Sequence, residues 1–156
     1  MAQTKVQKPE YVELLNRIQL GEAGAGVFLK AWAQKTQDPG LKSCLNFVAA
    51  RETSHAQIFK RRIKELGYAV VGKEDPDFAE RLKIARSDMP DAEKITRLKE
   101  VGQRQAKPTV RDRYEAAMDD EAVDPLTRSL LRWFADVEAD SRDLIGETYA
   151  RFEGKS

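Results

Sequence analysis

The sequence predicts an all-α domain, a four-helix bundle built from two helical hairpins joined by a long crossover. Three observations carry that prediction. Apolar residues recur at three- and four-residue steps, and glycine and proline are sparse, at 9 and 6 of 156 residues. Two Asp-Pro helix starts, Asp38-Pro39 and Asp124-Pro125, also stand out. These two starts lie 86 residues apart and head similar stretches. At that offset Ser43 aligns with Ser129, Leu45 with Leu131, Phe47 with Trp133, Ala49 with Ala135, Glu52 with Glu138 and Ile58 with Leu144. One half reads as a drifted copy of the other.

The first hairpin is expected over residues 9–67. Helix A starts at Pro9, a favourable first-turn residue, and runs to about Lys35 with the stripe Tyr11, Leu14, Leu15, Ile18, Ala25, Leu29, Trp32. Asp38-Pro39-Gly40 ends it and caps helix B, whose stripe is Leu41, Leu45, Val48, Phe59, Ile63, Leu66, closed by Gly67. The crossover, 68–90, is expected to carry one short helix around Asp77 to Ile84. The second hairpin spans 91–153. Helix C carries Pro108 in its middle, which removes a backbone hydrogen bond and kinks or divides it. Helix D starts at Asp124-Pro125 with Leu131, Phe134, Ile145 and Phe152 on one face. Together 1–156 form a single domain, long enough for its own core.

Composition narrows the function. With 27 basic and 26 acidic residues the net charge is +1, which argues against a dedicated nucleic-acid binder. The longest stretch without charge is eight residues, Ser43 to Ala50, so no helix is expected to span a membrane. Lys5, Lys8 and Glu10 interrupt the N-terminal stretch before a signal segment could form. A single Cys excludes an internal disulfide framework and a CxxC pair and suits a reducing, cytoplasmic compartment. Cys44, off the main stripe of helix B, reads as a small buried or interfacial residue. With one His in the chain, any metal or acid–base site must be built mainly from carboxylates.

Three carboxylates do interrupt the apolar stripes. Glu22 lies between Ile18 and Ala25, Glu52 and His55 lie between Val48 and Phe59, and Glu138 lies between Phe134 and Ser141. All follow steps of three and four and so face the core. Burying carboxylates there is costly unless they are paired or hold a metal. A Glu and a His three residues apart on one helix can grip one cation with oxygen and imidazole nitrogen.

Gly21-Glu22-Ala23 and Ala50-Arg51-Glu52-Thr53-Ser54-His55-Ala56, joined to the helix pattern, resemble the ferritin-like superfamily, including rubrerythrins and bacterioferritins. That resemblance implies a ferritin-like four-helix bundle and a carboxylate site for iron, one or two ions, with manganese or zinc as other occupants. It implies Glu22 and Glu138 as terminal ligands, Glu52 as a bridging ligand and His55 as the nitrogen ligand. The implied activity is that of a non-haem iron oxidoreductase acting on oxygen, peroxide or ferrous iron, with a redox partner and assembly into a homodimer or larger homo-oligomer such as a storage cage. The second half departs from the family pattern. Ser141 stands where a second His belongs, and Pro108 stands where helix C should offer a Glu. Glu115, seven residues past Pro108, is the nearest donor to take its place. One Cys cannot ligate a rubredoxin-type iron.

A metal-free alternative stands beside this. Arg104 and Arg111 flank Pro108 by one turn on either side, and either guanidinium could fill the vacated half-site and pair with Glu138. The chain would then be a degenerate bundle serving as a structural or interaction protein. The aromatic residues Trp32, Phe47, Trp133 and Phe134 are expected to pack the bundle ends. The run Lys60-Arg61-Arg62-Ile63-Lys64 reads as a solvated face near a helix C-terminus. Gly21, Gly24 and Gly26 suggest close approach of a neighbouring helix, within the chain or across a dimer.

Overall fold

A computed structural model describes residues 8–72 and 75–154. Its described residues contain six helices and no strand. They are α1 (Glu10–Lys35), α2 (Pro39–Glu65), α3 (Phe78–Arg86), α4 (Asp91–Gln103), α5 (Val110–Ala117) and α6 (Pro125–Ala150). None is long and apolar enough to cross a membrane among these residues.

Local chemistry sets the ends of the long helices. Asp38 accepts the Leu41 N–H at 2.7 Å and Asp124 accepts the Thr127 N–H at 2.9 Å, each with proline next in the chain. Helix α2 ends in a pair of closing bonds, Tyr68 N–H to Ile63 C=O and Gly67 N–H to Lys64 C=O. Gly67 sits there at φ +87, in the left-handed region that this ending requires. The crossover carries α3, as expected, packed against α1.

The long helices α2 and α6 run antiparallel and are tied at both ends. Arg62, near the end of α2, donates to Asp124 at the start of α6 at 2.8 Å, and Arg151, just past α6, donates to Asp38 at the start of α2 at 3.0 Å. The basic run is therefore only partly a solvated face: the Arg62 side chain is mostly buried and also reaches Thr127 Oγ1 at 3.0 Å.

Helix C is divided rather than kinked. Pro108 offers no N–H and disfavours helical backbone at Lys107. The helix stops at Gln103, and Thr109 starts a new one through a reciprocal cap with Asp112. The expected long helix C is thus two short ones. Helix α4 packs on α3, and α5 packs on α1 and α6. Asp91 at the start of α4 accepts from Trp32 Nε1 (2.8 Å) and Thr36 Oγ1 (2.6 Å), anchoring that segment to the end of α1.

Two apolar clusters form the interior. One joins Leu29, Trp32, Leu41, Leu45 and Val48 to Ala85 and Ile95, with Cys44 buried among them. The other joins Val12, Leu15, Ile18, Phe59 and Ile63 to Tyr114, Leu131 and Phe134. Both predicted stripes of the first hairpin are here, except that Tyr11, Ala25 and Leu66 are only partly buried. Trp32 packs near the end of α1 as expected, but Phe47 and Trp133 do not fill the interior; they are 51% and 42% exposed. They precede the core positions Val48 and Phe134 by one residue, which turns them to the flank of their helices. The Arg51 guanidinium covers the Phe47 ring at 4.3 Å. The glycines of α1 also differ among themselves. A Cβ at Gly26 would meet Thr53 Oγ1 of α2 at 2.5 Å and one at Gly24 would meet Phe78 at 3.0 Å, whereas one at Gly21 would meet nothing within 4 Å.

Candidate metal centre

Three helices bring Glu22, Glu52, His55 and Glu138 together. Glu22 comes from α1, Glu52 and His55 from adjacent turns of α2, and Glu138 from α6. Each follows its helix's core stripe, so the folding that buries Ile18, Val48, Phe59 and Phe134 also turns these four inward. They form a polar layer between the two apolar clusters. Along α1 the order is Ile18, Glu22, Leu29; along α2 it is Val48, Glu52, His55, Phe59.

His55 is the hub. Its Nδ1 lies 3.0 Å from Glu22 Oε2 and 3.5 Å from Glu138 Oε1. The ring is held edge-on by Trp133 and Phe134, with centroids 5.2 and 5.3 Å away, and is 2% exposed. Phe134 in turn packs against Phe59 and Tyr114, so the imidazole is fixed by an aromatic wall. Trp133 and Phe134 thus flank the middle of the helices rather than closing an end.

Electrostatically the four cannot rest as they are. Carboxylates outnumber the imidazole three to one. Burial is the main reason the Glu22 and Glu52 carboxyls are both held well above the ordinary 4.5. The charge of Glu138 adds to the effect on both, and Glu22 adds to it on Glu52 through charge and a shared hydrogen bond. The pair therefore retains protons at neutral pH unless a cation replaces them. Glu138 Oε1 is buried with no hydrogen-bond partner. Such an orphan costs on the order of 1–3 kcal/mol or more when the group is charged.

The donor set fits a small divalent ion. One ligand atom from each residue lies within 4.8 Å of the others. An octahedral shell with bonds of about 2.1 Å places neighbouring donors about 3.0 Å apart and opposite donors about 4.2 Å apart. A slight contraction of these side chains makes a shell of that size. Three oxygens and one imidazole nitrogen suit iron or manganese better than thiophilic metals.

The other residues considered for the site lie elsewhere. Ser141 is buried on α6 but its hydroxyl accepts from Arg51 at 3.0 Å, and it offers no nitrogen. Glu115 is engaged by Arg111 at 2.8 Å, and Arg104 pairs with Glu80, so neither a fourth carboxylate nor either of these guanidiniums enters the polar layer. Pro108 lies in the exposed break between α4 and α5. Sequence reasoning did not single out Tyr114 or Arg142, whose side chains meet beside Glu138; their signal was faint, a Tyr after Pro108 and an Arg one turn beyond Glu138.

Comparison with family models, with curated proteins and with solved structures finds no match for this chain.

Proposed function

We propose that this chain is a ferritin-like metal-binding protein in which Glu22, Glu52, His55 and Glu138 hold one divalent ion, iron first and manganese next. The observation that carries this reading is the buried carboxylate cluster whose Glu138 Oε1 has no partner. A cation satisfies that atom and removes the protons that burial imposes on Glu22 and Glu52. A single ion is favoured over a pair, since a two-metal centre needs bridging and capping carboxylates beyond these four, and Glu115 is engaged at the surface.

An iron held by these four residues would supply redox chemistry toward oxygen, peroxide or ferrous iron. The chain's own part is positional. Phe134 and Trp133 lock the His55 ring, the buried Ile18 and Val48 bound the polar layer on either side, and the Glu22 and Glu52 carboxyls would release their protons as a cation enters. The metal-free reading with a buried arginine draws less support, because Arg104 and Arg111 are both paired at the surface. Self-association into a homodimer or a cage is part of the proposal and is read on a sizing column.

The deciding experiment is elemental analysis of protein purified without tags or chelators, then again after anaerobic ferrous loading. About one iron or manganese per chain is expected. Two per chain would point to a di-iron centre, and none after loading would sink the metal reading.

A further inference from the structure

The division of helix C opens a cavity of about 860 Å3 onto the polar layer. Its lining includes two of the four candidate ligands, Glu22 and Glu138, together with Tyr114, Phe134, Ile18 and Arg142. That volume falls in the ordinary range for small-molecule sites. Arginines dominate the polar part of the lining, yet most are engaged. Arg81 pairs with Asp75, Arg104 with Glu80, Arg111 with Glu115 and Arg113 with Glu13. Arg17 and Arg142 have no carboxylate within 4.0 Å among the described residues; Arg17 is exposed on α1, while Arg142 is half-buried on α6.

Arg142 is unusual in its surroundings. It stands one helical turn beyond Glu138 but makes no ion pair with it, and its only hydrogen bond among the described residues runs to Tyr114 Oη at 3.4 Å. A neutral phenol at that distance is a weak partner for a guanidinium. The planar fork of donors matches a carboxylate, and the Ile18 and Phe134 surfaces beside it match an apolar body.

We propose that this cavity binds a small organic carboxylate, with Arg142 gripping its anionic end, Tyr114 beside it, and its apolar part lying against Ile18 and Phe134. The inference rests on the proposed metal centre, since a divalent ion cancels the carboxylate charge of Glu22 and Glu138 that would otherwise repel an anion.

The test uses the full chain loaded with Mn2+, its occupancy measured before any titration. Benzoate is the probe, with benzamide as its neutral counterpart and inorganic phosphate as an anion without an apolar body. Calorimetry should show benzoate binding, no benzamide binding and weaker phosphate binding. Arg142→Gln should weaken benzoate by about tenfold or more, the usual effect of losing a charge-assisted pair, with Mn2+ occupancy unchanged. Arg61→Gln, on the exposed face of α2 and outside the cavity, should bind benzoate as the unaltered protein does. The bound Mn2+ should also broaden the benzoate proton resonances, a readout that needs no variant and decides the matter if Arg142→Gln misfolds. Undiminished binding in Arg142→Gln, phosphate binding as tight as benzoate, or binding without broadening would overturn the proposal. A chain that takes up no Mn2+ or iron fails at the occupancy step, which marks the failure as that of the metal centre and removes this inference with it.

Discussion

His55 Nδ1 lies 3.0 Å from Glu22 Oε2, across the α1–α2 hairpin and thirty-three residues away in sequence. The contact joins the buried side of α1 to the one imidazole of the chain. If the pair belongs to a metal shell, replacing both donors on α2 removes it. Glu52→Ala with His55→Ala should abolish metal uptake while far-ultraviolet circular dichroism keeps the helical signal. Full metal occupancy in that double variant would falsify the ligand assignment.

Glu52 separates the role of charge from the role of shape. Its carboxyl is held protonated chiefly by burial and then by Glu22, so a glutamine of the same size mimics the metal-free state. Glu52→Gln should leave the stability of chelated protein close to that of the parent, since the amide keeps the size and a hydrogen-bond donor of the protonated carboxyl. The rise in Tm on adding Mn2+ or ferrous iron should be lost. Equal metal-induced stabilisation in parent and variant would remove Glu52 from the shell.

The same protons set a pH dependence. Glu22 and Glu52 titrate above 4.5 in the folded, metal-free chain and near 4.5 once unfolded. Above pH 4.5 the folded state therefore holds more protons than the unfolded state, and stability falls as pH rises. Chelated protein should show a lower Tm at pH 8 than at pH 5. Metal affinity should rise over the same interval, because binding displaces protons. A chelated Tm that climbs from pH 5 to pH 8 would contradict the buried, protonated pair.

At the other end of the molecule, Asp124 collects four donors. Burial tends to raise its carboxyl, but the Thr127 hydroxyl and N–H, the Tyr11 hydroxyl and Arg62 together hold it down at about 2. Stability from this group is present above the ordinary 3.8 and is lost as pH falls through about 2. Asp124→Ala removes the α6 cap and leaves Arg62 without its partner, and should cost about 1–3 kcal/mol in urea unfolding.

Two glycines on α1 should respond with opposite sign. Gly26→Ala drives a methyl into Thr53 Oγ1, whose hydroxyl is already bonded to Ala49 C=O at 2.9 Å, and should destabilise by about 1–3 kcal/mol. Gly21→Ala meets open space and gains helix propensity, up to about 1 kcal/mol. Urea denaturation of the two single variants checks both signs.

The sequence made much of this legible because helical periodicity reports which side of a helix is wet. Glu22, Glu52, His55 and Glu138 stood out as charges on dry faces, and the same rule found Leu41, Leu45, Ile63 and Leu131. What periodicity cannot report is how two helices lean on each other. Trp133 and Phe47 fall at helical spacing and so read as packing the bundle ends, although one position's rotation around the helix leaves them on its flank. Pro108 announced a disruption but not its form; the reciprocal Thr109–Asp112 cap, which lets a new helix begin at once, decides that. Arg62 reads as part of a solvated basic run, and Arg142 carries no signal, because their partners, Asp124 and Tyr114, are distant in sequence.

The polar layer also divides the hydrophobic interior into two separate regions, one at each end of the long helices. Between those regions the three helices meet at four polar side chains, two of which are held protonated when no cation is present. Unfolding of the stripped chain should then lose cooperativity, each end opening on its own, and amide exchange should sort the backbone into two protection classes. A cation seated among Glu22, Glu52, His55 and Glu138 would act as a rivet through α1, α2 and α6, merging the two classes into one. On this view the ion is as much a mechanical part of the molecule as a chemical one.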